Sequence, residues 1–171
     1  SIITTTYNDS KSLRKTIEQI KAQDYPNIEY IIVDGASKDD TMDVIMEAKA
    51  HFGDRLVWIS EKDSGIYDAI NKGVKLATGD YIAFVDSDDW IEPNMYSCLI
   101  QQLIENNVDI VYCGFYVEKG TSEVHTLPTC FVERQKDFQG KVIRSDWLYS
   151  VVWNKMFKKS IIEKTRFNTM L

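Results

Sequence analysis

The chain has 171 residues, 44% of them hydrophobic, and a formal net charge of -6. That is enough apolar material to bury one core of ordinary domain size, which excludes a disordered chain. The acidic balance argues against a nucleic-acid partner, because phosphate-backbone binding needs a basic face.

The first residue is Ser1, and Ser1-Ile2-Ile3 already reads as a strand, so the sequence is expected to be cut from something longer. Neither a basic leader nor an export-type apolar stretch opens it. No run of 18 apolar residues is present to span a membrane. Residues 1–5 (SIITT), 28–33 (IEYIIV), 56–59 (LVWI) and 81–85 (YIAFV) are short and rich in β-branched and aromatic residues. Their near-continuous hydrophobicity predicts strands covered on both faces. Between them, residues 9–23 place Leu13, Ile17 and Ile20 on one helical face, and residues 41–52 do the same with Val44, Ile45 and Ala48. Residues 65–77 repeat the pattern with Ile66, Ile70, Val74 and Ala77. Pro93 is placed to open a further helix over 94–106, residues 109–117 read as a strand, and 120–139 is polar without a clear period.

This βαβαβαβ alternation predicts an α/β fold: a Rossmann-like, mostly parallel sheet with helices on both faces and right-handed crossovers. Such sheets bind ligands at the carboxyl ends of their strands. There the sequence places Thr5-Thr6-Tyr7-Asn8, Asp34-Gly35-Ala36-Ser37, Ser60-Glu61-Lys62-Asp63 and Asp86-Ser87-Asp88-Asp89. Asp34, an acid ending an apolar strand before a turn glycine, is a candidate site residue. Ser37 followed by Lys38, Asp39 and Asp40 reads as an N-cap with acids in the first helical turn, and for Asp39 and Asp40 that reading stands level with a functional role. Three carboxylates in four residues exceed what a turn requires. Asp86 and Asp88, at i and i+2 of an extended segment, are expected to face one cation. All-oxygen ligands without His or Cys suit Mg²⁺ or Mn²⁺.

Cys98, Cys113 and Cys130 are odd in number and lack C-x-x-C spacing, which points to reduced, buried thiols in a cytoplasmic compartment. His51 and His125 have no metal or triad spacing. Trp147, Tyr149 and Trp153 read first as core aromatics, with a ligand-stacking surface as the alternative.

In order and spacing, "SIITTTYN", "IIVDGASKDDT", "DSGIYDAINKGVKLATGDYIAFVDSDD" and "VVWNKMFKK" resemble the family 2 glycosyltransferases of GT-A fold. The resemblance covers nearly the whole chain. It implies one GT-A domain over 1–171, cut at both ends, with a nucleotide-sugar and metal-binding half over 1–115 and part of an acceptor-side half over 116–171. It implies inverting transfer from a nucleotide-diphosphate sugar, a UDP-sugar first, to a saccharide or lipid-linked acceptor. By resemblance Thr5 and Asp34 contact base and ribose, and Asp86 and Asp88 form the D-x-D triplet, with Asp88 as metal ligand and Asp86 shared between metal and donor. Tyr7, Asp63, Asn71 and Lys72 line the donor pocket. Many members carry two adjacent acids after the second strand where this chain has Asp34-Gly35, so Ser37 is the alternative contact to the base.

The general base is expected beyond Leu171, following Phe167, with Asp146 and Glu163 as alternatives inside the chain. The expected compartment is the cytoplasm, with peripheral attachment to the membrane's cytoplasmic face left open. A first strand without D-x-D-x-T excludes a HAD-type phosphatase, and TTTYN in place of a Gly-rich basic loop argues against a sugar nucleotidyltransferase. A non-catalytic nucleotide-sugar-binding module, or a truncated chain lacking its base, stays open as the alternative.

Overall fold

A computed structural model describes residues 1–115, 131–133 (backbone only) and 151–169. Its strands are β1 (Ile2–Thr6), β2 (Tyr30–Asp34), β3 (Leu56–Ser60), β4 (Tyr81–Phe84), β5 (Ile110–Tyr112), β6 (Phe131–Glu133) and β7 (Lys155–Lys158). The helices are α1 (Ser10–Lys21), α2 (Thr41–Phe52), α3 (Ile66–Leu76), α4 (Met95–Asn106) and the single turn α5 (Lys159–Ile162). All seven strands join one sheet in the order β3-β2-β1-β4-β7-β5-β6. β1 to β4 are parallel, β7 is antiparallel to β4 and β5, and β6 is antiparallel to β5. Five of the seven strands therefore share one direction, and the sheet is mostly parallel as the alternation predicts.

Continuous hydrophobicity in β2 follows from cover on both faces. Tyr30 and Ile32 pack into one cluster with Leu13, Ile17, Val44, Ile45 and Leu99 of α1, α2 and α4. Ile31 and Val33 point the other way, into a cluster with Ala69, Ile70 and Val74 of α3. α1 begins where the Asp9 carboxylate accepts the Ser12 N–H at 3.1 Å. α3 approaches β1 closely because residue 73 is glycine: a Cβ there would lie 2.5 Å from Ile3 Cγ2. α4 starts at Met95 with Asn94 as its cap residue, so Pro93 precedes the helix rather than opening it, and Asn107 ends it in the left-handed conformation (φ 46°).

Several expectations change. The strand expected over 109–117 is confined to Ile110–Tyr112 through residue 115; residues 116 and 117 lie outside the described residues. β6 lies inside the stretch read as polar without a clear period, and the rest of 120–139 is outside the described residues. β7 was not expected: its Lys-Met-Phe-Lys pattern is too short and too charged to register as a strand until Met156 is packed against the core. Cys98 is exposed and Cys113 half-buried, which corrects the expectation of buried thiols. Cys98 sits on the solvent side of α4, whose buried face is Tyr96, Leu99 and Leu103. Cys130, His125, Asp146, Trp147 and Tyr149 lie outside the described residues. Trp153 meets Phe115 edge-on at 5.2 Å, and His51 meets Phe52 likewise at 5.0 Å. Among the described residues, no helix is long and apolar enough to cross a membrane.

Candidate functional site

Parallel pairing brings the carboxyl ends of β1, β2, β3 and β4 to one edge, and register aligns Thr6, Asp34 and Ser60 in a row across three strands. Asp34 is fully buried. Its two carboxylate oxygens accept the Ser37 N–H at 3.2 and 3.1 Å. They also accept the Ser37 hydroxyl and the Ser60 hydroxyl, the latter at 2.5 Å. A carboxylate buried without a cation needs such donors to replace water. Ser37 Oγ in turn accepts the Asn8 N–H at 2.7 Å, and Asn8 Oδ1 accepts the Lys38 N–H at 2.8 Å. Thus the loops after β1 and β2 are tied into one rim.

Asp39 extends this tie. Its carboxylate accepts the Ser10 N–H at 3.0 Å, at the start of α1, and the Thr41 hydroxyl at 2.6 Å, at the start of α2. The Thr41 hydroxyl, then the Ser10 N–H, hold Asp39 down at about 2. Asp40 occupies the α2 cap position without a side-chain cap bond. The cap expected at Ser37 falls instead at Asp40, because Asp34 takes up the Ser37 N–H and hydroxyl, while the Asp39 carboxylate joins the starts of two helices.

Gly35 is read from sequence as a turn residue, and the packing gives it a further reason. A Cβ there would fall 2.9 Å from Asp63 Oδ2 and 3.1 Å from Tyr7 Cδ2, so glycine lets the side chains of Tyr7 and Asp63 close over the end of β2. Ala36 takes the left-handed conformation beside it (φ 63°). Tyr7 is exposed and Asp63 half-buried, and Asp63 Oδ1 accepts the Gly65 N–H at 3.0 Å at the entry to α3.

Thr5 is half-buried and opposite Val33 in the register. Its neighbour Thr6 is the residue that sequence reasoning missed: it is opposite Asp34, and its buried hydroxyl has no hydrogen-bond partner among the described residues. Strand alternation from Ile2 through Thr4 to Thr6 would have assigned it to the same face as Asp34.

In α3, Lys72 Nζ donates to the Lys62 carbonyl at 2.8 Å and contacts Glu61 Oε1 at 3.0 Å and Asp68 Oδ2 at 3.6 Å. Burial pushes this ammonium down, but Glu61, Asp68 and Asp63 outweigh burial and raise it above the ordinary lysine value. Asn71 is engaged by the main chain of Phe167. Glu163 is exposed and closes α5.

The acidic run differs from its expected extended form. β4 ends at Phe84, and the Asp89 N–H bonds back to the Asp86 carbonyl at 3.2 Å, making a turn. Thr16 of α1 anchors the turn by donating its hydroxyl to the Ser87 carbonyl at 2.9 Å. The turn wins because Ser and Asp favour it and no strand partner continues past Phe84 in the β1–β4 pairing. Asp86 and Asp89 are half-buried, Asp88 exposed. Burial, then the charges of Asp89 and Asp88, pushes Asp86 up to about 6. Burial and Asp88 raise Asp89 also.

Among the described residues, no three His, Cys, Asp or Glu side chains enclose a cation. An open, oxygen-only group with uncompensated negative charge nevertheless fits Mg²⁺ or Mn²⁺, ions that take one or two carboxylates and fill the remaining positions with water and phosphate oxygens.

The raised Asp86 carboxyl has a signed consequence. Its folded value of about 6 lies above the ordinary 3.8, so its contribution to stability is complete below 3.8 and is lost as pH rises through 6. In EDTA, the wild-type melting temperature is expected to fall relative to that of Asp86→Asn between pH 4 and 7. Parallel pH profiles for the two proteins by scanning calorimetry would refute this.

The family model for glycosyl transferase family 2 matches residues 1–166. A curated relative from Escherichia coli, the UDP-Glc:α-D-GlcNAc-diphosphoundecaprenol β-1,3-glucosyltransferase WfaP, is 38% identical over 120 residues, covering 70% of this chain and 47% of the relative. The chain spans between a quarter and a half of the length of the first curated relatives it matches. In fold it is similar to the mannosyltransferase PcManGT from Pyrobaculum calidifontis, solved with GDP-Man and Mn²⁺ (TM-score 0.69, 22% identity, 99% of this chain and 47% of that one). It is similar also to TarS 1-349 from S. aureus, solved with UDP (TM-score 0.72, 20% identity, 99% and 50%). The sheet is thus of GT-A type, and the chain belongs to glycosyl transferase family 2.

Proposed function

We propose that the protein transfers a sugar from a nucleotide-diphosphate sugar, with a UDP-sugar as first candidate, to a saccharide or lipid-linked acceptor, inverting the anomeric centre. The observation that carries this reading is the gathering of four strand ends at one edge of the sheet, with a buried carboxylate ending β2 and a crowded acidic turn following β4. UDP in TarS and the UDP-Glc and diphosphoundecaprenol of WfaP's name support the choice of donor and acceptor class.

In this reading residues 1–115 form the donor half and 116–171 part of the acceptor half. Thr5, Tyr7, Asp34 and Ser37 receive the base and ribose. Asp34 acts by holding Ser37, whose N–H and hydroxyl it binds. Asp63 closes the pocket above Gly35. Lys72 and Asn71 brace it from α3, through the Lys62 carbonyl and the Phe167 main chain respectively. Asp88, with Asp86, would hold Mn²⁺ or Mg²⁺, as the Mn²⁺ in PcManGT supports. When bound, that ion supplies the positive charge a departing nucleoside diphosphate requires. The ionised form of Asp86 is the one that binds it, so cation affinity rises with pH as that carboxyl loses its proton. The base that takes the acceptor proton is expected beyond Leu171, and the site works in the cytoplasm, with peripheral attachment to the membrane's cytoplasmic face left open.

The test is nucleotide release from a panel of UDP- and GDP-sugars by the intact protein, with Mn²⁺ or EDTA, with and without saccharide and polyprenyl-diphosphate-linked acceptors. Release that needs Mn²⁺ and rises with an acceptor is expected. Tight UDP binding without release from any donor would overturn the transferase in favour of a binding module.

A further inference from the structure

The resemblance puts Asn71 among the donor contacts, yet its amide is matched to a main chain 96 positions away. Nδ2 donates to the Phe167 carbonyl at 2.9 Å, and the Phe167 N–H donates to Oδ1 at 3.0 Å. A reciprocal pair of this kind uses both ends of one primary amide and both polar groups of one peptide residue, so it sets the position and the orientation of the chain together. The ring of Phe167 is held as well. It stacks on Tyr67 at 6.1 Å with an interplanar angle of 8°, and meets Phe84 edge-on at 6.1 Å.

Tyr67 lies one helical turn before Asn71 on α3, and Phe84 is the last residue of β4, two positions before Asp86. Phe167 is half-buried, whereas residues 163–166, 168 and 169 are exposed. One residue within an exposed stretch is therefore anchored by three side chains, two on α3 and one at the end of β4, which leads into the acidic turn.

We infer that Asn71 is a positioning residue: it docks the segment around Phe167 against α3 and the end of β4, so that this segment forms one wall of the donor site and governs turnover rather than donor affinity. The inference rests on the transferase reading and adds to it a role for a residue that touches no donor. The residue type follows from the geometry, since an aspartate at 71 would keep an acceptor for the Phe167 N–H but set a carboxylate against its carbonyl, and a leucine would lose both bonds.

The test uses the intact protein and compares wild type with Asn71→Asp and Asn71→Leu. Trypsin cleavage after the exposed Lys164 and Arg166 reads the seating of the segment. Calorimetry with UDP and Mn²⁺ reads the donor site, and nucleotide release reads turnover. Expected are faster cleavage, a kcat lowered about tenfold or more, and a UDP dissociation constant within about twofold of wild type, because displacing a wall alters alignment rather than ground-state binding. A tenfold weaker UDP affinity would overturn the inference by making Asn71 a donor contact. Faster cleavage with unchanged kcat would overturn it by making the clamp purely structural. Where the Asn71 variants fail to fold, Phe167→Leu loosens the same segment from the ring side and should give the same split between kcat and affinity. Failure of the transferase reading looks different: wild type itself would release no nucleotide, or its UDP binding would ignore Asp88→Asn.

Discussion

In Asp88→Asn, Mn²⁺-dependent UDP binding is lost and nucleotide release falls about 100- to 1000-fold, the scale seen when one charge-stabilising group is removed from an active site. Asparagine keeps the size of the side chain and the turn that Ser87 and Asp88 occupy. What it removes is the charge, and with it the strong oxygen ligand for a hard cation. The same substitution has the opposite effect on the empty protein. Asp88 is one of the charges that raise Asp86 and Asp89, so neutralising it relieves repulsion at the end of β4. The melting temperature in EDTA should stay level or rise near pH 7. Activity down and stability not down is the signature of a site held under charge strain. Calorimetric titration of Mn²⁺ with and without UDP decides the matter, and unaltered binding in Asp88→Asn would remove the acidic turn from the proposed chemistry.

Asp34→Ala acts through stability first. The carboxylate is fully buried and accepts from the Ser37 N–H, the Ser37 hydroxyl and the Ser60 hydroxyl. Hydrogen bonds to a charged group contribute about 1.5–3 kcal/mol, and here the donors are a half-buried Ser37 and an exposed Ser60. The two hydroxyls can rotate toward other acceptors while the Ser37 N–H cannot, so a loss of about 3 kcal/mol is expected from the urea midpoint. Asp34→Asn keeps an acceptor oxygen and should lose roughly half as much. Because Ser37 Oγ also accepts the Asn8 N–H, the alanine variant loosens the rim between the loops after β1 and β2. UDP affinity should fall with it. An unchanged urea midpoint would show that the three bonds contribute no net stability.

The βα series was legible because each of its elements carries a local period. Ile31, Ile32 and Val33 are apolar without interruption since α3 covers one face of β2 while α1 and α2 cover the other. Leu13, Ile17 and Ile20 recur at helical spacing because only one face of α1 meets the sheet. The rule that parallel sheets gather their ligands at carboxyl strand ends then placed Asp34, Asp63 and the acidic run on one edge. β7 had no such signal. Its identity as a strand depends on pairing with both β4 and β5, partners far away in sequence. Local reading likewise put Asp86 and Asp88 on one side of an extended segment, whereas the Asp89 N–H and Thr16 fold that segment into a turn.

By itself, then, the sequence determined the alternation of elements, the two-sided core and the family, all of which follow from short-range periodicity and ordered motifs. Tertiary structure alone decided which side chain serves which partner. Only folding brings Asn71 to Phe167, Ser60 and Ser37 to Asp34, and Tyr7 and Asp63 over Gly35. Those contacts join residues whose spacing along the chain carries no period, so they are set by the packing of α3 and the register of the strands.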